Sequence, residues 1–471
     1  MKTATVSFLA LFIFLICIIK KEDNQTVNDI NINGNWEYQG FGKAITITDS
    51  IVKSYHISTV GNVKLSNNSR EDYFNYYTVD VLSTDIILLK DGVKTFKLYR
   101  SSKNFDKGIN QKLADDPEYN FEVLWNTFNE QYCYFEERNI DWNAIYKKYR
   151  PQVTKKTKTL ELYILFKKML KEINDGHISI DLPKDLKKVY KESETKTEEI
   201  STNKLDKKVK NLLIEKYITK VNKFNRGELI WGKVNEDVGY LQIKNMVALA
   251  HYNIPDSLSN DKFWNQWWGN LNKAKNHHDD VKNGTRFMMD SIIKELNHTK
   301  AIILDLRFNG GGFDDASVEI LNHFVSNKTN FSTKKVRLGN GYTEKQIMSL
   351  VPSKRVYKGK LYILTSHLTA SAAEILVLGS KEIPNSTIIG STTEGVFSDI
   401  LHKKLPNGWK YGLSNMIYES LDGVSYENIG ITPDYKLDYP KTSKAFFEYL
   451  LKDIDDGDDA IEEVIKQVSI H

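Results

Sequence analysis

The stretch Ala301-Ile-Ile-Leu-Asp-Leu-Arg-Phe-Asn-Gly-Gly-Gly312 decides the fold class. An apolar run of strand type passes into turn residues and three glycines, and Asp314-Asp-Ala-Ser-Val-Glu-Ile-Leu321 follows with a helix-like pattern. A second stretch repeats the layout: Leu361-Tyr-Ile-Leu-Thr-Ser-His-Leu-Thr-Ala-Ser-Ala-Ala-Glu374. Together with Val238-Gly-Tyr-Leu-Gln-Ile243 these runs define an α/β unit from Val234 to about Asp438. In open α/β sheets, ligands and catalytic groups collect in loops at the carboxyl ends of strands. One such loop here offers glycine N–H groups. The other offers a serine, Ser371, opening a helix.

Working outward, residues 30–105 read as a small β-module. Short alternating runs such as Ala44-Ile-Thr-Ile-Thr48 and Thr95-Phe-Lys-Leu-Tyr99 are separated by turn residues at Gly61-Asn62 and Asp91-Gly92. The module resembles a lipocalin-like unit, and its expected role is packing or spacing. Residues 112–182 have helical period: Phe121, Leu124, Trp125 and Phe128 share one face, as do Leu160, Tyr163, Phe166 and Leu170. This bundle is expected to end at Asn174-Asp175-Gly176-His177, before a strand over Ile178–Ile180. Residues 183–230 are rich in lysine and glutamate and read as a charged connector. The main α/β unit spans 231–440, and 441–471 reads as one terminal amphipathic helix.

A chain of 471 residues with 41% hydrophobic content can bury several cores. The net charge of +4 gives no argument for a nucleic-acid partner. Two cysteines, Cys17 and Cys133, argue against a disulfide framework. Met1-Lys2, an apolar run from Ala4 to Ile19 and the charged Lys20-Lys-Glu-Asp23 have the layout of a signal peptide or membrane anchor over residues 1–22. Cys17 is a candidate lipidated cysteine. The chain is therefore expected to be exported to a bacterial cell envelope. Phe263, Trp264, Trp267 and Trp268 have helical spacing and read as core. His277-His278-Asp279-Asp280 reads as a charged helix surface rather than a metal site, because adjacent helical histidines diverge. No cofactor and no metal are expected.

A serine opening a helix stands where backbone N–H groups and the helix dipole favour negative charge. It is a poor nucleophile without a base. Taken alone, Ser371 reads rather as an N-cap among small packing residues. Beside a glycine loop it suggests acyl transfer, with the N–H groups of Ala372 and Gly311 as oxyanion donors and Gly310 as the neighbouring choice. The glycine spacing matches no phosphate-binding motif.

Leu304–Gly312 and Thr369–Glu374, in this order, resemble the tail-specific serine protease family, peptidase family S41. The resemblance implies a ClpP/crotonase-like catalytic core: a mixed sheet with flanking helices. In one branch the base is a lysine in a Gly-Lys-Gly-Thr turn. Here Gly390-Ser-Thr-Thr-Glu-Gly-Val-Phe-Ser398 places Val396 there, and Lys381 follows the serine too closely. The other branch, similar to tricorn, uses a histidine supported by a glutamate. Asp175-Gly176-His177 and Tyr426-Glu427-Asn-Ile-Gly-Ile-Thr-Pro-Asp434 resemble those motifs. The resemblance implies that His177 takes the proton from Ser371 and that Glu427 supports His177, directly or through a relay. Gly176 stands where tricorn-like sites carry a serine, and Ser398 is a candidate relay hydroxyl. No PDZ-like segment separates the histidine from the main unit. Arg307 is expected to hold its loop by buried hydrogen bonds rather than to bind substrate.

The expected function is a serine-type peptidase acting on peptide or protein substrates. The alternative is a catalytically inactive ligand- or lipid-binding protein on the same scaffold. A structural envelope module is a third reading.

Overall fold

The structure, a computed structural model, describes residues 31–470 apart from 185, 188, 189 and 191–196. The signal-peptide or anchor segment and Cys17 lie outside the described residues. Among these, no helix is long and apolar enough to cross a membrane.

The N-terminal module is a seven-stranded antiparallel sheet built from Gly34–Tyr38, Lys43–Ile47, Ile51–Ile57, Asn62–Ser69, Thr78–Ser83, Ile86–Asp91 and Lys94–Ser101. Its spatial order is fourth, third, second, first, seventh, sixth, fifth. Alternation buries Trp36, Ile45, Ile47, Ile87, Leu89 and Leu98 on the core face. The last two strands form a hairpin whose turn carries Gly92 at φ +56°.

Three helices follow: Pro117–Gln131, Trp142–Tyr149 and Thr159–Lys171. Asp116 and Asp141 cap the first two, accepting from the N–H groups of Tyr119 and Ala144. Phe121, Leu124 and Phe128 are buried against Phe166 and its neighbours. The third helix ends at Lys171, and the reversal before His177 uses Asn174 at φ +53° rather than glycine. Ser179–Ile180 then pairs antiparallel with Tyr411 and Gly412, which pins the histidine loop to the α/β unit.

The main sheet has seven strands in the order Tyr435–Lys436, Ser386–Gly390, Lys360–Thr365, Ala301–Asp305, Val238–Ile243, Leu229–Lys233, Thr219–Phe224. The first five run parallel and the last two antiparallel. The sheet is covered on both faces. Ile302, Leu304, Leu361 and Ile363 point into one cluster, with the helices Asn260–Lys273, His277–Leu296, Asp314–Leu321 and Ala372–Ser380. Ala301, Ile303, Tyr362 and Leu364 point into the other, with Thr197–Tyr217, Ser443–Asp456 and Asp459–Ile470. Two-sided burial explains why the strands read as unbroken apolar runs.

Three expectations change. The charged connector over 183–230 contributes one strand and the start of a second to the main sheet, and Val209 and Leu213 of its helix are buried. The terminal amphipathic segment is two helices, broken at Gly457 with φ +129°. His278 is buried, not part of a helix surface: Asp315 Oδ2 lies 2.6 Å from its Nδ1 and Asp91 Oδ2 lies 3.5 Å from its Nε2. Phe263 and Trp267 are core as expected, whereas Trp268 is 44% exposed.

Arg307 is fully buried and ion-paired to Asp305 and to Asp458, each at 2.8 Å. Tyr240 donates to the same Asp305 at 2.8 Å. This pairing joins the loop after the central strand to the turn between the last two helices.

Candidate active site

Two loops from adjacent parallel strands are cross-linked at the base of the site. Ser366 Oγ donates to the Arg307 carbonyl at 2.6 Å, and Thr369 Oγ1 to the Leu306 carbonyl at 2.9 Å. Ser371 follows at φ +55°, ψ −127°, a conformation a non-glycine residue adopts only when its surroundings impose it. Here they do: the Ser371 N–H donates to the Val396 carbonyl at 3.1 Å and to Glu374 Oε2 at 3.2 Å. The Ser371 side chain stands half-buried at the start of Ala372–Ser380. Among the described residues the Ala372 N–H has no acceptor, as an oxyanion donor requires.

Glu374 was not singled out in the sequence. It is buried and accepts from Thr393 Oγ1 at 2.6 Å, Gly395 N at 2.7 Å and Val396 N at 2.8 Å. Burial pushes its carboxyl up to about 8, against hydrogen bonds that favour the charged form. It straps the serine turn to the 393–396 loop.

The glycine loop lies directly on the serine. A Cβ on Gly311 would stand 2.6 Å from Ser371 Cβ and 2.9 Å from the Ala372 nitrogen. With φ at +96° the position needs glycine. The Gly311 N–H, the expected oxyanion donor, donates in this structure to Asn309 Oδ1 at 2.8 Å. Buried Asn309 is itself anchored to the Ile243 carbonyl at 2.9 Å and closes an Asx turn. Among the described residues, the N–H groups of Gly310 and Gly312 are the ones in this loop without an acceptor.

The histidine side is built from ion pairs. Asp175 Oδ1 accepts the His177 N–H at 2.8 Å, and Asp175 Oδ2 accepts Tyr132 Oη at 2.8 Å. Arg138 lies 3.7 Å from Asp175 and 2.6 Å from Glu427 Oε1. Glu427 Oε2 accepts the Phe397 N–H at 2.8 Å. Glu427 thus spends its oxygens on Arg138 and a main-chain amide, and makes no hydrogen bond to His177. Its link to the histidine runs through Arg138 and Asp175. Arg138 carried no motif signal, since a lone arginine between two helices has no spacing that marks it. Burial, with Asp175 beside it, pushes Glu427 up to about 7.

The two sides meet at Val396. Its carbonyl holds the Ser371 amide, and its methyl groups lie 3.4 Å and 3.6 Å from where a Cβ on Gly176 would stand. His177 is buried, and its Nδ1 has no partner. Its imidazole is not hydrogen-bonded to Ser371. Burial lowers its pKa from 6.5, while Asp175 and Asp399 pull it back up. Ser398 Oγ donates to the Asp399 carbonyl and accepts from Met416 N, so it does not serve as the relay hydroxyl here. Lys381 donates to Tyr426 Oη at 2.9 Å, away from the serine.

Residues 237–437 match Peptidase family S41, and residues 113–171 match the Tricorn protease C1 domain. The carboxy-terminal processing protease CtpA of Bacillus subtilis is 29% identical over 150 residues, which is 32% of this chain and 31% of that protein. The carboxy-terminal-processing protease of Bartonella bacilliformis is 27% identical over 155 residues, 31% of this chain and 32% of that protein. The chain thus spans under a third of the length of these relatives. A solved candidate peptidase from Parabacteroides merdae shares the fold, with TM-score 0.54 and 21% identity, over 75% of this chain and 96% of that one. The mixed sheet and the serine at a helix start fall within residues 237–437, which are similar to peptidase family S41, and the helices before them fall within residues 113–171, which are similar to the Tricorn protease C1 domain.

Proposed function

We propose that this chain is a serine-type peptidase of the carboxy-terminal processing kind, acting on peptide or protein substrates. One observation carries the reading: Ser371, forced into a left-handed backbone at a helix N-terminus, packs on Gly311 while the Asp175–His177 turn stands across Val396. Ser371 Oγ attacks the substrate carbonyl carbon and its proton passes to His177. The tetrahedral oxyanion is held by the Ala372 N–H and by a glycine-loop N–H, that of Gly310 or, once Asn309 releases it, Gly311. Collapse expels the amine, which takes the proton from His177, and water then hydrolyses the acyl-enzyme by the same route. The imidazole has to turn onto the serine hydroxyl when substrate fills the cleft, a tightening common between free and bound sites. Glu427, through Arg138 and Asp175, holds the turn that carries it. The N-terminal apolar run supports export to a bacterial envelope.

Ser371→Ala is the test. It should remove fluorophosphonate labelling and lower turnover of a peptide mixture by about 10⁴-fold or more. Unlabelled parent chain that binds an apolar ligand tightly would favour the inactive binding reading instead.

A further inference from the structure

The N-terminal module reaches the candidate site through the tip of its last hairpin. The Val93 N–H donates to Asp315 Oδ1 at 2.8 Å, and Lys334 Nζ donates to the Val93 carbonyl at 3.0 Å. Next to it, Lys94 Nζ lies 3.0 Å from Asp399 Oδ1. Asp399 Oδ2 is 3.2 Å from Tyr418 Oη, and the same hydroxyl is 2.8 Å from Asp314 Oδ2. A tyrosine has one proton to give and two carboxylates to serve. The remaining negative charge has to be met by a cation, and Lys94 is the one paired with it.

The positions of these acids matter. Asp314 and Asp315 open the helix directly after the glycine loop. Asp399 follows Ser398, whose main chain faces the His177 imidazole, and its field acts on that ring. The acids therefore sit at the roots of the oxyanion loop and of the loop packed on the base.

We propose that Lys94, carried by the N-terminal β-module, is a positioning residue for the peptidase reaction: by pairing with Asp399 it clamps the loop facing His177 against the helix that follows the oxyanion glycines. The proposal rests on the assignment of Ser371 and His177. The module is then part of the catalytic assembly and not a spacer. The surrounding electrostatics agree. Burial and Asp399 push Asp314 up to about 6, opposed by Lys94 and Lys334. Burial works against the charge of Asp399 too, yet Lys94 and Lys334 hold it below the usual carboxylate range.

The full chain is compared with Lys94→Met, Lys94→Arg and the double variant Lys94→Met/Asp399→Asn, by peptide turnover and by hydrogen exchange over residues 310–316 and 396–402. The expected result for Lys94→Met is a kcat lowered about tenfold with KM within roughly twofold, and faster exchange in both segments. Lys94→Arg should keep most of the parental kcat. Adding Asp399→Asn should return part of the loss, because it removes the charge left unpaired. Parental kcat and parental exchange in Lys94→Met would overturn the proposal, as would an arginine variant no better than methionine. If the parent chain turned over no peptide, the peptidase reading would fall and the positioning role with it. Faster exchange in Lys94→Met would still support the clamp between module and loops.

Discussion

The two halves of the site are held by different kinds of force. The serine half stands on adjacent parallel strands buried on both faces, and its turn is fixed by the Val396, Leu306 and Arg307 carbonyls, the Asn309 turn and one buried carboxyl, that of Glu374. The histidine half hangs from a two-residue strand, Ser179–Ile180, and is fixed by the side chains of Asp175, Arg138 and Glu427. Main-chain hydrogen bonds in a buried sheet change little with pH or with single substitutions. A chain of buried ion pairs is sensitive to both. On the proposed mechanism the nucleophile is therefore pre-formed, whereas the base is adjustable, in keeping with an imidazole that makes no hydrogen bond to Ser371.

The comparison breaks most severely if the serine half is altered where it has no slack. Gly311→Ala puts a methyl group into Ser371 Cβ at a left-handed position. Turnover should fall by about 10²-fold or more, read as loss of kcat and of the fluorophosphonate labelling rate.

Arg138→Met tests the histidine half. It leaves Asp175 and Glu427 facing each other without their cation. Breaking a buried pair costs about 3–5 kcal/mol, so the melting temperature should drop clearly. Adding Glu427→Gln should recover part of it. Equal melting of Arg138→Met and parent would remove the ion-pair account.

The pH profile sharpens the contrast further. The depressed pKa of His177 means that the neutral base persists below pH 6.5, so the acid limb of kcat/KM should lie under that value. The sign for stability follows. A histidine depressed on folding contributes stability that is present above its unfolded value and lost as pH falls through the folded one. Asp399→Asn removes a field that raises the pKa, so it should move the limb lower still. A limb above 6.5 would contradict the burial of the ring.

The smallest effect is expected at Gly176, whose backbone is not left-handed and whose missing Cβ would meet Val396 and Glu394 at 3.4–3.5 Å, ordinary contact. Gly176→Ser should change stability by no more than about 0.5 kcal/mol and leave turnover within roughly twofold. A large gain in rate would identify a missing relay hydroxyl.

The serine half was also the more legible in the sequence. Apolar runs ending in Asn309–Gly312 and Thr369–Glu374 announce strands and loops, because two-sided burial and tight turns leave compositional marks. The strand at 219–224 was hidden by lysines and an asparagine on an edge, where one side stays solvated; Leu229–Lys233, short and buried throughout, straddles the end of the charged stretch. The use of the Gly311 N–H by Asn309 was not legible either, since three consecutive glycines do not say which amide turns inward. Arg138, Lys94 and Asp399 lie far apart in sequence and meet only through tertiary packing. Their partners are ordinary charged residues without a motif.

The buried Arg307 pair reaches beyond stability. Asp458 supplies one of the two carboxylates that neutralise a guanidinium whose own carbonyl braces the serine loop. A truncated chain ending before that aspartate would retain Ser371, His177 and Glu427, yet would leave the buried guanidinium with Asp305 alone beneath the Ser371 loop. The brace under the Ser371 loop is thereby tied to docking of the turn between the last two helices, far along the chain from the residues it supports.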